Sequence, residues 1–239
     1  MTWKQAFTSS IGKKIVMALT GIFLISFLVV HVGLNACIWA GDNGEMFNKG
    51  AHFMGTTVLV RIMEIGLFII FFIHIIQGFI LTLQNQQKRN IGYNVQLGNK
   101  GSKWYSRSMG LLGTLLLLFL IIHIYHFWTP SRLGGMWNVK PLGEAVYNKG
   151  AVEIHDLYGE MFNVFQGQPI IVALYVIGCI SLLYHLLHGF QSAFRTLGLG
   201  NKKWLGLVYT SGYAFAVIVS LGFAMMPISV YFGWITHTA

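Results

Sequence analysis

Nine histidines are distributed through a 239-residue chain that is otherwise poor in charge. Six of them, His31, His74, His123, His126, His185 and His188, fall inside or at the ends of long apolar runs. An ionisable side chain is costly in hydrocarbon, and one found there marks function. Two of the runs share a local grammar. His74-Ile-Ile-Gln-Gly78 and His185-Leu-Leu-His-Gly189 both read His-x-x-x-Gly. On a helix the glycine lies one turn beyond the histidine, on the same face, and leaves a flat space beside the imidazole. A porphyrin plane needs such a space, and neutral imidazole is an axial ligand of haem iron.

The elements that must position these histidines are membrane helices. The composition is 55% hydrophobic and 10% charged, against about a quarter charged in a soluble domain. Apolar runs cover about 15–40, 58–83, 108–128, 168–194 and 204–235. Each is long enough to cross a hydrocarbon core of about 30 Å. Continuous runs of this kind argue helices and not barrel strands. The expected fold is an all-α membrane protein, a bundle of five transmembrane helices forming a single domain over 1–239. The third span is expected to stop at Pro130.

Eleven of the sixteen lysines and arginines fall in the N-terminal segment and in the second and fourth connections. The positive-inside rule then places the N-terminus in the cytoplasm and the C-terminus outside. The sequence pI near 9.6 follows from this topology, so no nucleic-acid partner is read from it. The first apolar run is too long for a signal-peptide core. Cys37 and Cys179 both lie in apolar runs and read as buried small hydrophobes. With no Cys-x-x-Cys-His motif in the chain, any haem would be held non-covalently.

Depth sorts the histidines into pairs. His31 lies 16 residues past Ile15 on an outward-running span, roughly 24 Å from its inner edge. His123 lies 14 residues past Met109, roughly 21 Å up. His74 and His185 each stand nine residues before the inner end of an inward-running span, roughly 14 Å from it. The result is an outer pair, His31 with His123 or His126, and an inner pair, His74 with His185 or His188. Two imidazoles at one depth suit a bis-histidine haem that carries electrons and has no open site for oxygen. The shared Gly at +4 favours His185, and depth favours His123. His126 and His188 then become supporting or propionate contacts. Other propionate candidates are Arg61 on the outer side and Lys88, Arg89, Lys103, Arg107 and Arg195 on the inner side. Arg61 and Glu64 stand at i, i+3, where an ion pair is the plain reading and a propionate contact with a quinol proton acceptor the sharper one. A haem-free histidine proton relay is the rival use of the same residues. His52, His155 and His237 lie outside the spans and are assigned solvated roles.

Two further expectations concern the outer connections. The segment between the first two spans reads as a loop of about 17 residues. The segment 152–165 carries apolar residues near helical spacing and reads as a short helix on the outer membrane surface. Gly44-Glu-Met-Phe-Asn48 recurs as Gly159-Glu-Met-Phe-Asn163, a hint that two span hairpins are copies.

Taken in order, Ser9-Ser-Ile-Gly-Lys-Lys14, Ala18-Leu-Thr-Gly21, Val30-His31, Arg61-Ile-Met-Glu64, His74-x-x-x-Gly78, His123-x-x-x-Phe127-Trp128 and His185-Leu-Leu-His-Gly-Phe190 resemble a known family. It is the cytochrome b membrane anchor of succinate:quinone oxidoreductases (succinate dehydrogenase and fumarate reductase), in its single-chain, five-helix, two-haem, menaquinone-linked form. The resemblance implies two haem b groups, the outer on His31 and His123, the inner on His74 and His185. It implies a bacterial cytoplasmic membrane location. It also implies a flavoprotein partner with FAD and an iron–sulfur partner on the cytoplasmic side. Electrons would pass from the iron–sulfur partner through both haems to menaquinone. Family quinol sites use a glutamate near the second span, for which Glu64 and Glu45 are the candidates.

Overall fold

A computed structural model of the chain describes residues 9–87, 103–147 and 152–237. Helix α1, Ser10–Ala36, ends in a 3-10 turn at Cys37–Trp39. Helix α2 covers Glu45–Thr56 and α3 covers Val58–Gln87. A single turn, α4 (Trp104–Arg107), precedes α5 (Met109–His123), a π-helical segment (Ile124–Trp128) and α6 (Thr129–Leu133). Strands β1 (Glu144–Tyr147) and β2 (Val152–His155) pair antiparallel, with Glu144 opposite His155. Helices α7 (Leu157–Phe165), α8 (Pro169–Thr196) and α9 (Lys202–Tyr231) complete the order. Five helical stretches are long and apolar enough to cross a membrane: Ser10–Trp39, Val58–Asn85, Met109–Leu133, Pro169–Thr196 and Lys202–Tyr231. The chain is an all-α membrane protein of five spans. The helices form because lipid offers the peptide groups no partner, so each segment must satisfy its own backbone.

Exposure shows which faces meet lipid. On α3 the exposed apolar residues include Ile62, Ile65, Ile69, Phe72, Ile76, Phe79 and Leu83, flanked by Val58, Leu59, Met63 and Ile73. From Ile62 to Leu83 the spacing of alternately three and four residues is a single helical stripe. In a water-soluble protein such a stripe would be the buried one; here it faces outward.

The sequence expectations fail in four places, each for a local reason. The first span begins at Ser10 and not near Ile15, since the Ser9 hydroxyl accepts the Gly12 N–H at 3.0 Å and caps the helix. The third span does not stop at Pro130 but continues to Leu133; Pro130 follows directly on the π segment Ile124–Trp128, where the regular hydrogen-bond ladder is already interrupted. The first outer connection contains a full helix, α2. Asp42 supplies its start, accepting the N–H of Gly44 at 3.1 Å and of Met46 at 2.8 Å. The chain turns into α2 at Gly44, with φ of 82°, a conformation that glycine adopts without steric cost. Lastly, the helix expected over 152–165 starts only at Leu157, after a strand. Asp156 caps it by accepting the Gly159 N–H at 2.8 Å. Tyr158, Met161, Phe162 and Phe165 are buried with Ile38, Phe47, Val172 and Val230, so α7 packs into protein and does not lie on lipid.

The two Gly-Glu-Met-Phe-Asn copies occupy different settings. The first begins α2 with Asn48 fully buried; the second sits inside α7 with Asn163 exposed. Shared letters here carry no shared role.

Packing divides the chain into two units. The first comprises Met1–Leu28, Ile65–Leu115 and Ser181–Ile218; the second comprises Val29–Glu64, Leu116–Ile180 and Val219–Ala239. Every span contributes residues to both. Within the first, the Ser181 hydroxyl donates to the Leu112 carbonyl at 3.0 Å and ties α8 to α5. Within the second, α8 meets α5 at Gly178, where an added Cβ would lie 2.5 Å from Phe119 Cδ2. Gly178→Ala is therefore expected to cost about 1–3 kcal/mol through overpacking, read as a lower thermal midpoint in detergent. An unchanged midpoint would mean that the two helices part freely there.

Candidate functional site

Each unit contains one pair of imidazoles contributed by two spans. In the second unit His31 of α1 and His123 at the end of α5 approach with ring centroids 5.7 Å apart and planes at 88°. His31 also meets Phe223 of α9 at 5.4 Å, and Asn35 donates to the His31 carbonyl at 2.8 Å. Phe119 stacks on His123 at 5.6 Å. His123 Nδ1 is buried without a hydrogen-bond partner.

In the first unit His74 of α3 and His185 of α8 approach with centroids 6.3 Å apart. The Thr20 hydroxyl donates to the Val16 carbonyl at 2.8 Å. Its proton being spent there, it accepts from His74 Nδ1, 3.0 Å away. That arrangement leaves Nε2 as the nitrogen with the lone pair, the form a metal requires. His185 Nδ1, like that of His123, is buried and unpartnered.

The flat space beside these rings comes partly from glycines that the His-x-x-x-Gly pattern did not name. A Cβ on Gly21 of α1 would lie 3.7 Å from His74 Cε1, and one on Gly113 of α5 would lie 3.9 Å from His185 Cε1. Gly189 does face its own histidine, 3.9 Å from His185 Cδ2. Gly78 does not; it faces Met17 Cε at 3.6 Å. Thr20 and Gly21 carry a sequence signal in retrospect. Thr20 is eleven residues before His31, three turns at 3.6 residues per turn, so both lie on one face of α1.

The remaining histidines separate clearly. Among the described ring pairs, His74 meets His185 and not His188, and His31 meets His123 and not His126. His126 lies in the π segment, stacked on Tyr175 at 5.9 Å, with its Nδ1 3.0 Å from the Tyr175 hydroxyl. Tyr175 was not singled out in the sequence. His237 is not solvated as expected: its Nε2 reaches Asp156 at 3.2 Å, and its ring packs on Tyr158 and Phe162. His52 and His155 are exposed.

Glu64 is occupied on both carboxylate oxygens. Oε1 accepts from Trp128 Nε1 at 2.6 Å and from Arg132 Nε at 3.3 Å. Oε2 accepts from Arg61 at 2.8 Å and from Arg132 at 3.3 Å. The plain i, i+3 pair is present, and Trp128 and Arg132, which the sequence reading passed over, complete it. Glu45 is paired with Lys49 on the same helix. Nearby, outside the spans, burial pushes the Tyr147 and Tyr158 phenols up. In the first unit, Arg195 donates to the Tyr209 hydroxyl at 3.5 Å. Lys88 and Arg89 lie outside the described residues.

The donor set fits a haem. Among the described residues no three His, Cys, Asp or Glu side chains converge as a protein-only metal site. What converges is imidazole in twos, with centroids 5.7 and 6.3 Å apart. Gaps of that size accommodate one metal with imidazole bonds about 2 Å long on either side. Gly21, Gly113 and Gly189 border the rings of the first-unit pair.

The chain is 25% identical over 182 residues to the succinate dehydrogenase cytochrome b558 subunit of Bacillus subtilis (strain 168). The match covers 75% of this chain and 73% of that protein. No protein-family model matches the chain, and no solved structure matches it.

Proposed function

We take this homology to a succinate dehydrogenase cytochrome b subunit as the premise and propose that the chain anchors a succinate:quinone oxidoreductase in the bacterial cytoplasmic membrane. It would hold two b-type haems, one between His31 and His123, the other between His74 and His185. The observation that carries this reading is the convergence of four imidazoles as two pairs from four different spans. An iron ligated by two imidazoles exchanges single electrons and has no open position for oxygen.

The chain's own residues supply the rest. Thr20 orients His74 and holds its proton on Nδ1. Phe119 fixes the plane of His123. Arg61 and His126 on one side, with His188, Arg107 and Arg195 on the other, are the assigned propionate contacts. The basic connections would face the cytoplasm and dock the iron–sulfur and flavin-bearing partners. Dicarboxylate chemistry, whether succinate oxidation or fumarate reduction, belongs to those partners. Menaquinone is the assigned lipid-soluble partner, with Glu64 and Glu45 as its candidate contacts. Glu64 would reach a quinone by giving up one of its present donors.

The test is a reduced-minus-oxidised optical spectrum with a haem-to-chain ratio on the purified complex. The expected result is a b-type α band and two haems per chain. A well-folded preparation without that band would overturn the reading and leave the histidines to the haem-free proton relay.

A further inference from the structure

One cavity lies outside both histidine pairs. It has a volume of about 570 Å³ and lies in the first unit, between the start of the third span, α8 and α9. Its polar rim is Lys103, Tyr105, Gln191 and Tyr209, and its apolar wall is Leu187, Tyr213 and Ala214. Arg195 reaches the rim through the Tyr209 hydroxyl, at 3.5 Å. The volume is in the range of small-molecule sites.

Charge decides what it can take. All seven acidic residues of the sequence lie outside the first unit, and eleven of the sixteen lysines and arginines lie inside it. The rim therefore presents ammonium, guanidinium, amide and hydroxyl donors with no carboxylate among them. The Lys103 ammonium stands 5.7 Å over the Tyr105 ring, and the Tyr105 hydroxyl beside it raises its pKa. Such a rim accepts an anion.

Depth decides the source of the anion. Helices α8 and α9 have 28 and 30 residues, about 42–45 Å at 1.5 Å per residue. A hydrocarbon core of about 30 Å leaves their ends roughly 6–7 Å into the headgroup layer. Lys103 precedes the third span, and Arg195 is one residue from the end of α8, so both cations stand at headgroup depth. Tyr213 and Ala214 lie eleven and twelve residues into α9, roughly 16–18 Å from its end and within the acyl region. Thr210, Tyr213 and Ala214 are exposed, so the cavity opens sideways. A donor rim at headgroup depth above an apolar wall at chain depth has the profile of one lipid molecule.

We propose that this cavity binds the phosphate headgroup of an anionic phospholipid from the leaflet that faces the basic connections, with the first part of an acyl chain against Leu187 and Tyr213. Lys103 thereby belongs to the lipid and not to a haem propionate. Arg195 is shared between this rim and the assigned propionate contacts, so the test leaves it unchanged and turns on Lys103.

The test is native mass spectrometry of the purified complex, titrated separately with phosphatidylglycerol and phosphatidylcholine. One phosphatidylglycerol should be retained in clear preference to phosphatidylcholine. Lys103→Gln should weaken that retention about five- to tenfold, with the optical spectrum unchanged. Thr210→Trp, which narrows the apolar mouth without touching a charge, should weaken both lipids. Equal retention of the two lipids, or a preference that survives Lys103→Gln, would overturn the proposal. Displacement by millimolar inorganic phosphate would assign the site to a free anion. Retention that appears only after the partner subunits are stripped away would assign the rim to an acidic protein surface. Either outcome also overturns it.

Discussion

Replacement of His185 by alanine is expected to remove one haem, lowering the ratio from two per chain to one and the α-band absorbance by about half, if each bis-histidine iron contributes equally. The substitution takes away one axial imidazole and little else. Helix α8 keeps its tie to α5 through the Ser181 hydroxyl on the Leu112 carbonyl, and His74 keeps Thr20. The pair in the second unit shares no residue with this one. His188→Ala is the matched control. His188 stands three residues from His185 but makes no described ring contact with His74, so both haems should remain. A full two-haem spectrum in His185→Ala, with the band lost in His188→Ala, would move the ligand by one turn.

The second large effect is expected at a residue outside both histidine pairs. Asn48 is fully buried, and its side chain is satisfied on three sides. Its amide donates to the Tyr147 hydroxyl at 2.9 Å and to Asp156 at 2.8 Å, and its oxygen accepts the buried Tyr158 N–H at 2.9 Å. Alanine would leave that N–H and one carboxylate lone pair without partners. Orphaned buried groups cost about 1–3 kcal/mol each, so Asn48→Ala should lose about 2–4 kcal/mol. In a chain of this size that is on the order of 10 °C in thermal midpoint. Asn48→Asp keeps the shape, removes both donors and sets a carboxylate against Asp156, so it should fall at least as far. A midpoint within a degree or two of the parent in both variants would show that water replaces the amide.

Much of this architecture was legible because membranes simplify the code. A segment such as 58–83 can only be a helix in lipid, so its length and position were read directly. The histidine pairs were legible for a related reason: with helices known and straight, residue number converts to depth. His31, more than ninety positions away, could be matched by arithmetic to His123 or His126, and the ring contact with His123 distinguishes the two. The parts that were missed depend on contacts between side chains distant in sequence. Asp42 and Asp156 each cap a helix, yet each reads as an ordinary loop acid. Trp128 and Arg132 find Glu64 across more than sixty residues. Gly21 serves a histidine on another helix, and within its own segment only the phase of its neighbour Thr20 with His31 hints at that face.

The π-helical segment Ile124–Trp128 has a consequence for how this span came to carry both jobs. A π turn is an α-helix with one residue too many. The wide turn absorbs that surplus residue, so everything after it lags by about 100° and about 1.5 Å behind its place in an unbroken α-helix of the same sequence. His123 precedes the insertion and keeps the face that meets His31; Trp128 and Arg132 follow it and acquire the face that meets Glu64. One helix therefore serves two azimuths. A single-residue deletion within the segment would restore a regular helix and leave its last turn facing as before, whereas winding all five residues as α-helix would rotate Trp128 and Arg132 away from Glu64.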